Sequence, residues 1–187
     1  MARMYATPLS PHPSTPEDAL TSITVEVDSL TADRLVLYYR VAGDIDRLTL
    51  PPQAPSRSQH ELWKHTCFEA FIALPDSDVY FEFNFSPSSQ WAAYRFDSYR
   101  QGMTSLQPMP APRILCRRRA GELDADIDIH LAAIAELQSA RQLRLAVSAV
   151  MENDRGRISY WALAHPPGRP DFHHRDGFAL ALAGDPS

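Results

Sequence analysis

The sequence predicts an all-β fold, an antiparallel β-sandwich or jelly roll with one short helix. Three observations predict it. Apolar and polar residues alternate with period two through many short segments. Proline-rich loops separate those segments. A single stretch, 131–139, has the Ala, Leu, Glu and Gln composition of a helix. No repeat and no strand–helix alternation points to a nucleotide-binding architecture. The length of 187 residues suits one domain able to bury a core without disulfides or metal.

Residues 1–20 carry four prolines between Pro8 and Pro16 and are expected to form an irregular N-terminal arm. The sandwich domain is expected over 21–183. Ile23, Val25 and Val27 alternate with polar neighbours, and Leu35, Leu37, Tyr39 and Val41 repeat the pattern before a turn at Gly43-Asp44. Pro51, Pro52 and Pro55 mark a long loop up to Leu62. Three strands follow at 66–74, 79–86 and 91–96. Strands at 114–118 and 123–130 come next; the second alternates strictly, with Asp124, Asp126 and Asp128 on a wet face. After the helix, 143–150 and 158–164 read as a hairpin around Asn153-Asp154-Arg155-Gly156, and 178–182 as a last strand.

The net charge of −5 argues against a nucleic-acid partner, which leaves a basic footprint. The one basic run, Arg117-Arg118-Arg119, is short and reads as a solvated strand end. No apolar run approaches the length of a membrane helix. The N-terminus has no apolar h-region, and Cys67 and Cys116 lie outside any zinc-binding spacing. A cytoplasmic location is the expectation, with no cofactor required.

The three central strands carry the candidate site. Two four-residue hairpin loops, Pro75–Asp78 and Pro87–Gln90, would pair Leu74 with Val79 and Ser86 with Trp91. One face is then apolar, with Phe68, Phe85 and Ala92 leading its rows. The other carries Cys67, Ser86 and Trp91, then Glu69, Asn84 and Ala93, then Phe71, Glu82 and Arg95. In this register Glu82 opposes Arg95 as an ion pair, Glu69 opposes Asn84, and Ala93 leaves a hollow with Trp91 at its end. Fixed polar partners beside an aromatic plate suit a small polyhydroxylated molecule, such as a saccharide. The same pairs would equally serve to stabilise a solvent-facing sheet.

The stretches Leu62-Trp63-Lys64-His65-Thr66-Cys67-Phe68-Glu69-Ala70-Phe71, Tyr80-Phe81-Glu82-Phe83-Asn84-Phe85-Ser86-Pro87-Ser88 and Trp91-Ala92-Ala93-Tyr94-Arg95-Phe96 resemble the DOMON-like domains, relatives of family 9 carbohydrate-binding modules. Ser159-Tyr160-Trp161-Ala162-Leu163 and Pro170-Asp171-Phe172-His173-His174 resemble the same bacterial type 9 subgroup. The resemblance covers roughly residues 20 to 183. It implies a β-sandwich of about ten strands that binds a small ligand without catalysis, carbohydrate first and haem as the alternative. Trp63, Trp91 and Trp161 would be candidates for a sugar clamp. Met103, Met109 or Met151 with His65 or His173 would be candidate axial ligands for haem.

A hydrolase using Glu69 is a third reading, since Glu69 and Glu82 share a face. In the expected register Arg95 would hold Glu82 ionised and suit it poorly to acid catalysis. No GxSxG, HExxH or glycine-rich phosphate loop occurs. His165, Asp171, His173, His174 and Asp176 are the densest metal-capable group, and also read as a polar loop packed through Phe172. The ligand-binding set expected from sequence is Trp63, His65, Glu69, Glu82, Asn84, Trp91, Arg95, Trp161 and His173, with no metal and no membrane partner.

Overall fold

The computed structural model describes residues 6–183 except 17, 32, 139 and 141. Twelve antiparallel strands in that span form one strongly curled sheet, a half-barrel whose two halves pack like the layers of a sandwich. The expected all-β class holds. One half comprises β1 (Ala6–Pro11), β2 (Leu20–Leu30), β3 (Arg34–Gly43), β8 (Arg113–Arg119) and β9 (Glu122–His130). The other comprises β4 (Cys67–Ala73), β5 (Tyr80–Phe85), β6 (Trp91–Phe96), β7 (Thr104–Ser105), β10 (Gln142–Glu152), β11 (Ile158–Ala162) and β12 (Leu180–Ala183).

Strand β1 joins the halves. Its Ala6–Leu9 segment pairs with β2, and Ser10 and Pro11 pair with β11. This part of the arm expected to be irregular is therefore ordered sheet; its first five residues lie outside the described residues. Prolines 8 and 11 signalled loop, yet proline is compatible with strand positions that need no N–H donor. The helix expected over 131–139 is a single turn, Ala135–Gln138, with Ser139 outside the described residues.

Period-two alternation explains the core. Ile23, Leu37, Tyr39 and Ile127 from one half meet Phe68, Phe81, Phe83 and Leu145 from the other, all buried. Tyr39 crosses this core, and its hydroxyl donates to the Glu69 carbonyl oxygen at 2.7 Å. Its buried polar group is thereby satisfied.

The outer face of β4, β5, β6 and β10 is also largely buried. Cys67, Phe71, Tyr80, Tyr94, Phe96 and Val150 form a second apolar cluster there. Loops lie over it, contributing Leu62, Trp63, Phe172 and Phe178. A sheet face covered only in part by loops leaves room for a groove.

Candidate functional site

The β4–β5 pairing has the expected register, with Glu69 opposite Asn84 and Phe68 opposite Phe85. The β5–β6 pairing does not. Phe85 pairs with Trp91, Phe83 with Ala93 and Phe81 with Arg95, one residue away from the expected alignment. The connection is a tight loop in which the Ser86 N–H donates to the Gln90 carbonyl at 2.9 Å and Ser89 takes a left-handed φ of 78°. A one-residue slip turns every side chain of β6 to the other face.

The correction relocates three expected site residues. Trp91 and Ala93 belong to the core between the halves, so the expected hollow over Ala93 is filled. Arg95 faces the same side as they do and bonds Glu136 through Nε at 2.9 Å, with Asp97 as a second partner. The expected Glu82–Arg95 ion pair therefore does not form. Trp161 also points into the inner core, where its Nε1 donates to Ser159 Oγ at 3.0 Å. His65 lies outside the groove, with Nδ1 2.7 Å from Glu152 Oε2.

Four of the expected residues, Trp63, Glu69, Glu82 and His173, line one groove of about 650 Å³ on the outer face. Asn84 lies beside them on the same face of β5. Tyr160, Phe172, Phe96, Val150, Arg100 and Met103 also line the groove. Of these, Met103 was a candidate haem ligand from sequence; Tyr160, Phe172, Phe96 and Val150 were not singled out as ligand contacts. Alternation in β10 and β11 could have indicated part of the set. It separates Ser148, Val150 and Tyr160 from the inward-facing Val147, Ala149 and Trp161.

Each wall has a local cause. Trp63 sits in a single 3-10 turn, Leu62–Lys64, entered through Glu61 at a left-handed φ of 63°. Its ring lies edge-on to Tyr94 and His60, and His60 Nδ1 and the Tyr94 hydroxyl are 2.6 Å apart. On the far side, Tyr160 and Phe172 pack edge to face with centroids 5.8 Å apart. His173 is packed edge-on to Phe71, Tyr80 and Phe96.

Hydrogen bonds hold the His173 ring. The Arg100 N–H donates to the Tyr80 hydroxyl oxygen at 3.1 Å, and that hydroxyl lies 2.8 Å from His173 Nδ1. This leaves the Tyr80 proton available to Nδ1, the arrangement in which the neutral ring carries its own proton on Nε2. Nε2 is 3.8 Å from Glu82 Oε2. Burial, with Arg100 nearby, lowers the His173 pKa to about 4, so the ring is neutral at pH 7.

The floor is acidic and dry. Glu69 is 2% exposed and Glu82 5% exposed. Asn84 Nδ2 donates to Glu82 Oε1 at 2.7 Å. Glu69 Oε1, Asn84 Oδ1 and Ser148 Oγ are buried without a hydrogen-bond partner among the described residues. Burial raises Glu82 to about 7, against opposing effects of Asn84 and Arg100. Burial, reinforced by the neighbouring Glu82 and opposed by the Ser148 hydroxyl directly across the β4–β10 ladder, raises Glu69 well above the usual carboxylate range. Arg100 is committed at the rim, with its guanidinium 2.8 Å from Asp171.

The remaining candidates disperse. Met151 is buried in the inner core and Met109 packs against it, so Met103 and His173 are the Met/His pair that the groove holds. His165 Nε2 donates to the Ser10 carbonyl, and His174 Nδ1 lies 3.6 Å from Asp176. Among the described residues, no three His, Cys, Asp or Glu side chains converge as a metal site.

The fold has solved counterparts. A candidate carbohydrate-binding protein from Bacteroides uniformis superposes with a TM-score of 0.68 at 14% identity, covering 97% of this chain and 87% of that one. A family 9 carbohydrate-binding module from Caldicellulosiruptor kristjanssonii, in complex with cellotriose, superposes with a TM-score of 0.52 at 10% identity, over 88% and 75%. The chain thus shares its fold with these two structures. No protein-family model and no curated protein matches the sequence.

Proposed function

We propose that this protein is a non-catalytic binding domain whose outer-face groove takes a small saccharide. The observation that carries the reading is a set of buried polar atoms without partners, Glu69 Oε1, Asn84 Oδ1 and Ser148 Oγ, beside a groove lined by aromatic rings. Buried polar atoms are normally satisfied, and an unmet set beside an open groove is what a ligand rich in hydroxyls would satisfy. Trp63, Tyr160 and Phe172 offer apolar surface to the C–H face of a sugar ring. The likeness to a module solved with cellotriose supports the same ligand class.

Calorimetric titration of soluble oligosaccharides, cellotriose among them, tests the reading. Binding is expected for the wild type and a loss of about tenfold or more for Trp63→Ala, an aromatic contact of this kind being worth about 1–2 kcal/mol. A panel in which no saccharide binds would overturn it.

A hydrolase using Glu69 gains one supporting observation, because burial keeps both floor carboxyls raised, as a general acid requires. Chromogenic glycosides separate the two readings: turnover lost in Glu69→Gln favours catalysis, and no turnover by the wild type removes it. Reconstitution with haem tests the third reading, for which Met103 and His173 are the available pair; an unshifted Soret band counts against it.

A further inference from the structure

Two carboxyl groups share the groove floor with no Lys or Arg at ion-pairing distance among the described residues. Glu69 and Glu82 lie on neighbouring strands, two residue pairs apart in the β4–β5 ladder and so on the same face. Among the described residues, no Lys or Arg nitrogen lies within 4.0 Å of either carboxylate. Arg100 is engaged by Asp171, and Arg169 is exposed at the rim. Arg100 acts on Glu82 only from beyond ion-pairing distance, and His173, 3.8 Å from Glu82, is neutral at pH 7 for the reasons given above. The other titratable groups around the pair are Cys67, Tyr39, Tyr80 and Tyr94, all buried beside it.

Buried carboxyls are ordinarily paired with a cation or fully hydrogen-bonded. Here Glu69 Oε1 has no partner and the residue lines an open groove. Trp63, Tyr160 and Phe172 line the same space. Carboxylates beneath aromatic rings are the chemistry that recognises an ammonium group, by ion pairing from below and cation–π attraction from the sides. A neutral hydroxyl in the same place would satisfy Oε1 without forming an ion pair.

We infer that the groove selects an amino sugar, a saccharide whose protonated amine sits against Glu69 and Glu82. The inference rests on the saccharide reading of the site and narrows it. Binding has a proton signature. At pH 6 Glu82, raised to about 7, carries a proton, and burial favours the protonated form of Glu69 as well; the incoming ammonium stabilises a carboxylate, so one of the pair ionises and releases its proton. A neutral sugar releases none.

The test is calorimetry at pH 6 on the wild-type protein with three probes: the trisaccharide of β-1,4-linked glucosamine, cellotriose as its hydroxyl counterpart, and choline as a cation without a sugar. Each is run in two buffers of different ionisation enthalpy. The glucosamine trisaccharide is expected to bind about tenfold or more tightly than cellotriose, with net proton release. Glu69→Gln, checked for folding by its thermal transition, is expected to erase both the preference and the proton release. Equal affinity for cellotriose, or no proton release, overturns the inference and leaves the saccharide reading standing. Binding of choline with no saccharide bound supports the cation site and overturns the saccharide reading. No binding of any probe overturns both.

Discussion

Asn84 and Glu82 sit two residues apart on the same face of β5, and the Asn84 amide donates to Glu82 Oε1 at 2.7 Å. That bond is the main local effect holding the Glu82 carboxyl below where burial alone would push it. Replacing Asn84 by Ala removes the donor without changing the strand. Glu82 is then expected to titrate above its value of about 7, followed by carbon-detected NMR of the side-chain carboxyl. Loss of a hydrogen bond to a buried acid should also lower stability by about 1–3 kcal/mol in urea unfolding. An unmoved titration would mean that the bond does not govern the carboxyl.

Glu82 gives the fold a pH dependence of definite sign. Its pKa rises from 4.5 in the unfolded chain to about 7 in the fold, so the folded state binds more protons between those values. Stability contributed by this group is full below about 4.5, falls as pH rises through the window, and levels off above about 7. The total loss is of the order of 3 kcal/mol. Glu82→Gln is expected to lose this slope and to be more stable than the wild type at pH 8, measured by chemical denaturation at a series of pH values.

His173 acts in the opposite sense. Its pKa is lowered from 6.5 to about 4, so the unfolded state binds more protons between those values. Its contribution to stability is full above 6.5 and is lost as pH falls towards 4. His173→Phe, which keeps an aromatic ring among Phe71, Tyr80 and Phe96, is expected to resist acid better than the wild type. Glu69 is raised in the same direction and adds to the Glu82 slope, so between pH 4.5 and 6.5 the profile of Glu82→Gln should be flatter than that of the wild type and the profile of His173→Phe steeper.

The tryptophans separate by role. Trp91 is 4% exposed in the inner core, and Trp91→Ala should cost about 3–5 kcal/mol of stability. Trp63 is half-buried on a loop at the groove. Trp63→Ala is expected to cost less than Trp91→Ala in urea and to abolish or sharply weaken ligand binding. The reverse ranking would contradict the register of β6.

Arg95 provides a second check on that register. It faces away from the groove and pairs with Glu136 and Asp97. Arg95→Ala should leave ligand affinity unchanged and alter stability by about 1 kcal/mol or less.

The β4–β5 half of the site was legible because its strands are unambiguous. Polar side chains at Glu69, Glu82 and Asn84 alternate with Phe68, Phe83 and Phe85, and only one register keeps both sets together. The β6 sequence offers no such contrast. Trp91, Ala93 and Arg95 form one face and Ala92, Tyr94 and Phe96 the other, each largely apolar. The deciding feature is the left-handed backbone at Ser89, which a serine does not advertise as a glycine would. The walls were hidden for another reason. Trp63, Arg100, Phe172 and His173 come from loops far apart in sequence, brought together only by the curl of the sheet. Proline masked β1, whose hydrogen bonds to β2 and β11 depend on partners that local sequence does not reveal.

The most direct measurement uses the three tryptophan indoles as reporters. In a nitrogen–proton correlation spectrum titrated with a bound saccharide, the Trp63 indole resonance should shift with ligand while those of Trp91 and Trp161 stay in place. A ligand that binds and moves the Trp91 or Trp161 indole, leaving Trp63 still, would contradict the assignment of the groove as the binding site.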